Sequence, residues 1–297
     1  MTGKTSSAPY GEFVLLGVLA ILWGSSYLFI KVAIAEIPPL TLIAIRVSIA
    51  AVFLACVLAL TADRLPRDAR SWRMLFVQSF FNSIAAWTLL AWGQQHIASG
   101  LASVLNSTSP LFVFFFTLLV TRHEVTDTLK LFGACLGLFG VILIVGIDAL
   151  AGLGQQVAGQ IAALTGAALY GCAAIYGRRF TDLSATAIAT GTMLWASLVL
   201  VPASLIFERP WSLSPSWPAI VASCVLGLLC TGVALLIYFR LIKTIGSLGT
   251  ASQAYLRAGV GVLLGALVLG ERITPMVGLG LLAAIVGVAA INLPRRH

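Results

Sequence analysis

The sequence predicts an all-α integral membrane protein: ten transmembrane helices, arranged as two inverted five-helix repeats around a central cavity. Three observations predict it. Of the 297 residues, 60% are hydrophobic and 9% are charged, whereas soluble domains carry about 25% charged residues. The apolar residues fall in runs close to the roughly 20 residues that cross a bilayer as a helix, too long and too uniform for spanning β-strands of about 10 alternating residues. Finally, the chain matches itself at an offset of 147: Glu124 falls on Glu271, Gly133 on Gly280, Gly140 on Gly287, Ile144 on Ile291, Trp23-Gly24 on Tyr170-Gly171 and Asn106 on Gln253.

The segments follow in order. The first, 12–34, holds Trp23, Ser26 and Tyr27 at i, i+3 and i+4, one helical face. Its apolar core exceeds the 7–15 residues of a signal peptide, and the repeat requires it, so it is expected to be retained. The second, 40–61, contains Arg46 about six residues in, near enough to a surface to snorkel or to line an entrance. The third, 72–95, carries Gln78, Asn82, Ser83 and Trp87, with Trp72 and Trp92 near its ends as interfacial anchors. Asn106, Ser107, Ser109 and Pro110 lie in the fourth, 98–120, and Gly133 and Gly137 in the fifth, 127–147. The second half supplies 157–178 with Tyr170, 185–207 with Trp195, 216–239 with Thr231, 246–269 with Ser252, Gln253, Tyr255 and Arg257, and 274–293. The repeats are therefore expected at 1–147 and 148–297. Five helices per half, an odd number, bring the second half in from the opposite side of the membrane. Inverted repeats of this kind are a transporter signature, with the substrate near the midplane between the halves.

Charge sets the expected orientation. Alternate connections starting from the N-terminus carry Lys4, Arg64, Arg67, Arg70, Arg73, Arg122, Lys130, Arg178, Arg179, Arg240, Lys243, Arg295 and Arg296; the opposite side carries Lys31, Arg209 and Arg272. The excess marks the cytoplasmic side, with both termini cytoplasmic in the inner (plasma) membrane. The net charge of +8 is explained by this placement, and no basic patch interleaved with aromatics points to nucleic acid. Cys56, Cys135, Cys172, Cys224 and Cys230 sit in apolar segments without a C-x-x-C spacing and read as small packing residues.

Polar side chains in spanning helices face the interior or a wet cavity. The candidate substrate-binding residues are Trp23, Ser26, Tyr27, Asn82, Trp87, Asn106, Tyr170, Trp195, Gln253, Tyr255 and Arg257. Aromatic walls with a few amide and hydroxyl groups suit a small amphiphile; the alternative for each polar residue is an interhelical hydrogen bond. The small-xxx-small pairs Gly133–Gly137 and Gly261–Gly265 read as close helix packing, with a homodimer face as the alternative to a monomer. The ten acidic residues and the three histidines all lie at or near helix ends, so no protonatable group is visible at membrane depth and transport without obligatory proton coupling is expected. The same inventory offers no carboxylate pair, metal set, G-x-S-x-G or P-loop, so neither an enzyme, a cofactor nor a metal is expected.

At this point the chain resembles the drug/metabolite transporter superfamily, EamA family. The resemblance is carried by LLGVLAILWGSSYLFIKVA (15–33), LTLIAIRVSIAA (40–51), ASVLNSTSPLFVFFF (102–116) and the paired endings RHEVTDTLKLFGACLGLFGVILI and LGERITPMVGLGLLAAIVGVAAI. It implies a basket in which helices one to four and six to nine surround the cavity, with five and ten peripheral. The chain is similar to the YddG-type exporters of aromatic and other neutral amino acids, which implies export of such metabolites. Nucleotide sugars or drug-like compounds are the alternative cargo, and a non-transporting membrane scaffold is the alternative class. Members often carry proline in the ninth helix where this chain has Arg257.

Arg257 lies about eleven residues into the ninth segment, roughly 16 Å along a helix and near the middle of a hydrocarbon core about 30 Å thick. A charge there costs about 3 kcal/mol on insertion scales. Two readings account for it: a cavity residue that attracts a substrate carboxylate, or a charge hydrogen-bonded between helices.

Overall fold

The computed structural model describes residues 9–61, 63–97, 99–120, 128–146, 153, 156–260 and 275–292. The side chains of Tyr27 and Lys31 lie outside the described set. So do the segments that hold Lys4, Arg122, Glu124, Asp127, Asp148, the Gly261–Gly265 pair, Glu271, Arg272, Arg295 and Arg296.

Every regular element among the described residues is a helix. In chain order the helices are α1 (Pro9–Ile34), α2 (Pro39–Leu60), α3 (Ala69–Ser79), α4 (Ala85–His96), α5 (Ser99–Asn106), α6 (Ser109–Val120), α7 (Thr128–Val145), α8 (Val157–Gly177), α9 (Ala185–Phe207), α10 (Trp217–Gly227), α11 (Ala234–Thr244), α12 (Gly246–Ala251), α13 (253–260) and α14 (Pro275–Asn292). Seven described helical stretches are long and apolar enough to cross a membrane, and shorter apolar helices cover Val104–Leu119 and Thr128–Ile144. Two of the seven are composite. A π-turn at Phe80–Ile84 joins α3 to α4, and another at Leu228–Val233 joins α10 to α11. The two turns overlap under the 147-residue offset.

The fourth and ninth segments are not single helices, as the sequence predicts, but broken ones. Pro110 has no backbone N–H to continue a helix out of α5, and the Thr108 hydroxyl instead donates to the Leu105 carbonyl at 2.6 Å. At the second break the Ser252 hydroxyl donates to the Gly249 carbonyl at 2.6 Å.

Polar side chains are turned into the interior, beside its apolar core, while large apolar side chains cover the outside. Gln78, Asn82, Thr190 and Thr192 are fully buried while Phe132 and Leu279 are about 60% exposed, the distribution expected where lipid rather than water covers the surface. The cysteines divide likewise. Cys230 is buried and Cys172 half-buried, while Cys56, Cys135 and Cys224 lie exposed on the apolar surface, so a packing role fits the first two and not the other three.

α2 lies along α9, α1 along α10 and α11, and α4 along α8. α7 and α14 pack closest. A Cβ on Gly133 would lie 2.8 Å from the Gly287 carbonyl, and one on Gly140 would lie 2.6 Å from the Gly280 carbonyl. Glycine is required at these crossings because any side chain would drive the two backbones apart. Each contact is the other with its partners exchanged at the 147 offset. The same exchange relates Gly24 against Val260 to Gly171 against Val113, and Glu12 against Arg240 to Gly159 against Gly93. Ser107 touches its own counterpart, its hydroxyl 3.5 Å from the Ala254 carbonyl. These are the contacts that a two-fold axis between similar halves produces.

The segment ends are tied between the halves. The Glu208 carboxylate accepts the backbone N–H of Leu40 at 3.0 Å and of Thr41 at 2.6 Å, two donors that the start of α2 cannot satisfy itself. Beside it, Glu36 accepts the Ser216 N–H and hydroxyl, each at 2.6 Å, and these bonds hold its carboxyl below the usual range. At the opposite end Glu12 accepts from Arg240 at 3.2 Å and from the Thr244 hydroxyl at 2.9 Å.

Candidate functional site

A cavity opens between the α1–α2 side and the α4–α5–α8 side. α1 lines it with Trp23, Ser26, Ile30 and Ile34, and α2 with Pro39, Leu42, Ile43 and Arg46. Trp87, Asn106, Tyr170 and Arg257 complete its polar and aromatic wall. It leaves about 80 Å³ for the centres of water-sized groups, room for roughly six waters at the ~10–15 Å³ each needs on this measure. A smaller space adjoins it toward Tyr238 and Ala251, sharing Trp23, Asn106, Tyr170 and Arg257 and adding Gln253.

Local sequence explains most of these positions. Trp23 and Ser26 share a face of α1, and the Ser26 hydroxyl donates to the Trp23 carbonyl at 2.6 Å. The Trp23 indole N–H donates to the Cys230 carbonyl at 3.0 Å, and its ring meets Tyr238 at 5.4 Å. Asn106 and Gln253 flank the two helix breaks, so the interruptions bring both amides to the cavities. Broken helices commonly line the midplane sites of transporters.

Of the two positions expected for Arg46, it takes the inward one: it does not snorkel to a surface but is 9% exposed and lines the main cavity. Its Nε donates to the Thr231 hydroxyl at 2.6 Å and an Nη2 hydrogen to the Cys230 carbonyl at 3.3 Å. Its guanidinium carbon lies 4.4 Å from the Trp87 ring centre, a contact worth about 0.5–2 kcal/mol. Thr231 can accept because its own proton goes to the Leu226 carbonyl at 2.7 Å, five residues back across the π-turn. Arg46 is found only by knowing that this turn faces α2.

Of the predicted site residues, Trp23, Ser26, Trp87, Asn106, Tyr170 and Arg257 line the main cavity and Gln253 the smaller one. Asn82, Trp195 and Tyr255 stand elsewhere. Asn82 is fully buried in the first π-turn, its amide donating to the Ser83 hydroxyl at 3.1 Å. Trp195 donates its indole N–H to the Trp72 carbonyl at 3.1 Å and packs its ring edge-on to Trp72 and Phe76, which places it between α9 and α3. Tyr255 lies two residues from both Gln253 and Arg257, so it occupies the opposite face of α13. It is fully buried there, ring against Gly137 and hydroxyl donating to the Ala134 carbonyl at 2.8 Å. The lining of both cavities contains no aspartate or glutamate among the described residues, and no group of three metal-ligating side chains occurs among them.

Comparison with known proteins agrees with this architecture. The family model described as "EamA-like transporter family" matches twice, over residues 11–146 and 157–293. The uncharacterized transporter YoaV of Bacillus subtilis is 27% identical over 93% of this chain and 95% of its own length. The uncharacterized inner membrane transporter YedA of Escherichia coli is 28% identical over 95% of this chain and 90% of its own. A probable amino-acid metabolite efflux pump of Escherichia coli is 25% identical over 91% and 92%. One solved protein structure superposes with a TM-score of 0.80 at 16% identity, covering 96% of this chain and 98% of that one; it is a likeness of fold.

Proposed function

The chain belongs to the EamA-like transporter family, and on that premise we propose that it exports small metabolites, neutral and aromatic amino acids first among them, across the inner membrane by alternating access without obligatory proton coupling. The observation that carries this reading is the cavity itself: indole and phenol walls, two amide-bearing helix breaks and two guanidinium groups, in a space sized for a small molecule. The relatives support it through the efflux pump for amino-acid metabolites and the inner-membrane assignment of YedA.

Alternating access follows from treating 1–147 and 148–297 as inverted repeats, with both termini cytoplasmic on the charge pattern. The 34–39 connection is then outside, and the main cavity reaches it along Ile30, Ile34 and Pro39. The inner end is closed by apolar packing. A Cβ on Gly177 would lie 3.1 Å from Ile242, and Ala174 and Ala251 share a core cluster with Val113. Exchanging partners at the 147 offset replaces Gly177–Ile242 by Ile30–Gln95, an outer closure that would seal the cavity while the inner one opens. Among the described residues, the titratable side chains lining the two cavities are Arg46, Arg257, Tyr170 and Tyr238, with no carboxylate or histidine beside them. A monomer suffices for this cycle, with a homodimer as the alternative assembly.

The test is uptake of labelled phenylalanine, tryptophan, methionine, threonine, a nucleotide sugar and a lipophilic cation into proteoliposomes without an ion gradient. Downhill uptake of the amino acids alone is expected. No flux of the amino acids would overturn the amino acid reading, and accumulation driven by a pH gradient alone would overturn the uncoupled mechanism.

A further inference from the structure

Resting on the transport reading above, we propose that Gln78 and Asn82 form a second substrate subsite, closed in the state described here, which takes the headgroup of an amino acid zwitterion when the protein opens inward. Gln78 is fully buried, and neither its Oε1 nor its Nε2 has a hydrogen-bond partner among the described residues. Asn82 stands four residues on and is also fully buried; its amide donates to Ser83, and its Oδ1 has no partner among them. Interiors pair nearly all such atoms, and each exception calls for a reason. Packing supplies none, because leucine would fill the place of Gln78 without burying a polar group. The open valences match a zwitterion: two amide oxygens accept from an ammonium, and Nε2 donates to a carboxylate.

The repeat locates the space into which these amides open. Shifting the lining of the main cavity by the 147 offset carries Ile30 to Gly177, Ile43 to Thr190, Arg46 to Met193 and Leu226 to Ser79. Thr190, Met193 and Ser79 are fully buried, as the walls of a closed inner half must be. Gln78 precedes Ser79 and lies against the same closure: a Cβ on Gly177 would stand 3.8 Å from its Nε2 and 3.1 Å from Ile242. Parting Gly177 from Ile242 therefore uncovers Gln78. Met193 takes the place of Arg46 in that half, and the buried amides supply polar groups beside it. The two amides also act on the conformational balance. Their unpartnered atoms burden only the closed inner half, because opening gives them solvent or a solute, so they bring the inward-open state closer in energy.

Gln78→Leu removes the amide and keeps its bulk. Its melting midpoint in detergent should rise by about 2–4 °C. Downhill phenylalanine flux into proteoliposomes should fall at least about tenfold, since the inner half is then favoured closed and has lost a headgroup contact. A midpoint that fails to rise would assign Gln78 a structural bond and overturn the inference; a raised midpoint with flux unchanged would overturn it equally. Gln78→Cys in a background free of native cysteines gives an independent reading. The outer end is first held shut by joining Ile30→Cys to Gln95→Cys with an impermeant bifunctional reagent applied from outside. A methanethiosulfonate on the cytoplasmic side should then modify the thiol at position 78 at least about tenfold faster than in the unlocked protein, and saturating phenylalanine should slow that modification. No faster modification, or no outer joining at all, would overturn the inference. A thiol that becomes accessible but is not protected by phenylalanine would overturn the subsite alone. Phenylalanine flux of the unmodified protein decides the transport reading separately.

Discussion

Arg46 holds its guanidinium carbon 4.4 Å from the ring centre of Trp87, joining α2 to α4 across the mouth of the cavity. A charge at this depth is tolerated because every contact described for it is inside the protein: an aromatic face, a hydroxyl and a carbonyl made available at a π-turn.

The first prediction concerns that turn. Thr231→Val keeps the side chain's shape and removes the oxygen that accepts from Arg46 Nε at 2.6 Å. Losing a hydrogen bond to a charged partner should cost about 1.5–3 kcal/mol. Thermal unfolding in detergent should show a lower midpoint, and transport should show a raised KM as the guanidinium loses its fixed position.

Glycine at the α7–α14 crossing should be irreplaceable. In Gly133→Ala and Gly287→Ala the new methyl would lie 2.8 and 2.6 Å from a facing carbonyl, so the helices must separate, at about 1–3 kcal/mol each. Gly17→Ala meets nothing within 4 Å and should be neutral or stabilising by up to about 1 kcal/mol through helix propensity. Melting curves of the three variants check the contrast.

Removing the carboxylate that caps α2 should loosen the junction between the halves. Glu208→Ala strands the N–H groups of Leu40 and Thr41, and the loss should be about 0.5–2 kcal/mol. Glu208→Gln should fall between, since an amide oxygen still accepts but without charge. Hydrogen exchange at the two amides reads this directly, with faster exchange in Glu208→Ala.

The Glu36–Ser216 contact should make stability depend on pH in a defined direction. Its bonds lower the Glu36 carboxyl from its ordinary value. The contribution is therefore present above the unfolded-state value of about 4.3 and is lost as pH falls through the lower folded-state value. The melting-point difference between the unmodified protein and Ser216→Ala should be constant near neutrality and shrink in acid. Ser216 makes no side-chain cap bond to α10, so the difference reports on Glu36.

Alternating access predicts two cysteine pairs with opposite behaviour. In a background free of native cysteines, Gly177→Cys with Ile242→Cys should be joined by a short bifunctional thiol reagent in the state described here, because the Cβ of residue 177 would lie 3.6 Å from Ile242 Cγ2. Ile30→Cys with Gln95→Cys should cross-link only when the cavity closes at its outer end. Each cross-link should stop flux and each reductant treatment restore it. Failure of the outer pair to form during turnover would rule out the exchange of closures.

Much of this protein is legible in its sequence because lipid imposes a simple code. Apolar runs, small residues at crossings and charges at ends follow from the cost of exposing polar groups to hydrocarbon. These dictated where the described helices run, and the 147 offset that pairs Gly133 with Gly280 also pairs their contacts. Trp23, Asn106 and Arg257 were readable as cavity candidates because a polar or amphipathic side chain in such a run must face inward.

Which inward surface it faces was not readable. Periodicity assigns Tyr255 to the face opposite Gln253 and Arg257, but not whether that face meets the cavity or α7. Asn82 and Trp195 look from sequence like Asn106 and Trp87, yet Asn82 bonds to Ser83 inside the first π-turn and Trp195 packs against α3. The position of Arg46 depends on Thr231 and Cys230, about 185 residues away, and on a π-turn that no local propensity announces. The sequence alone determined that this is a membrane-spanning chain of two similar halves with polar residues turned inward, because hydrophobicity and repetition are local properties. Only the tertiary structure decided which of those residues meet around one cavity, because long-range packing sets the direction of each inward face.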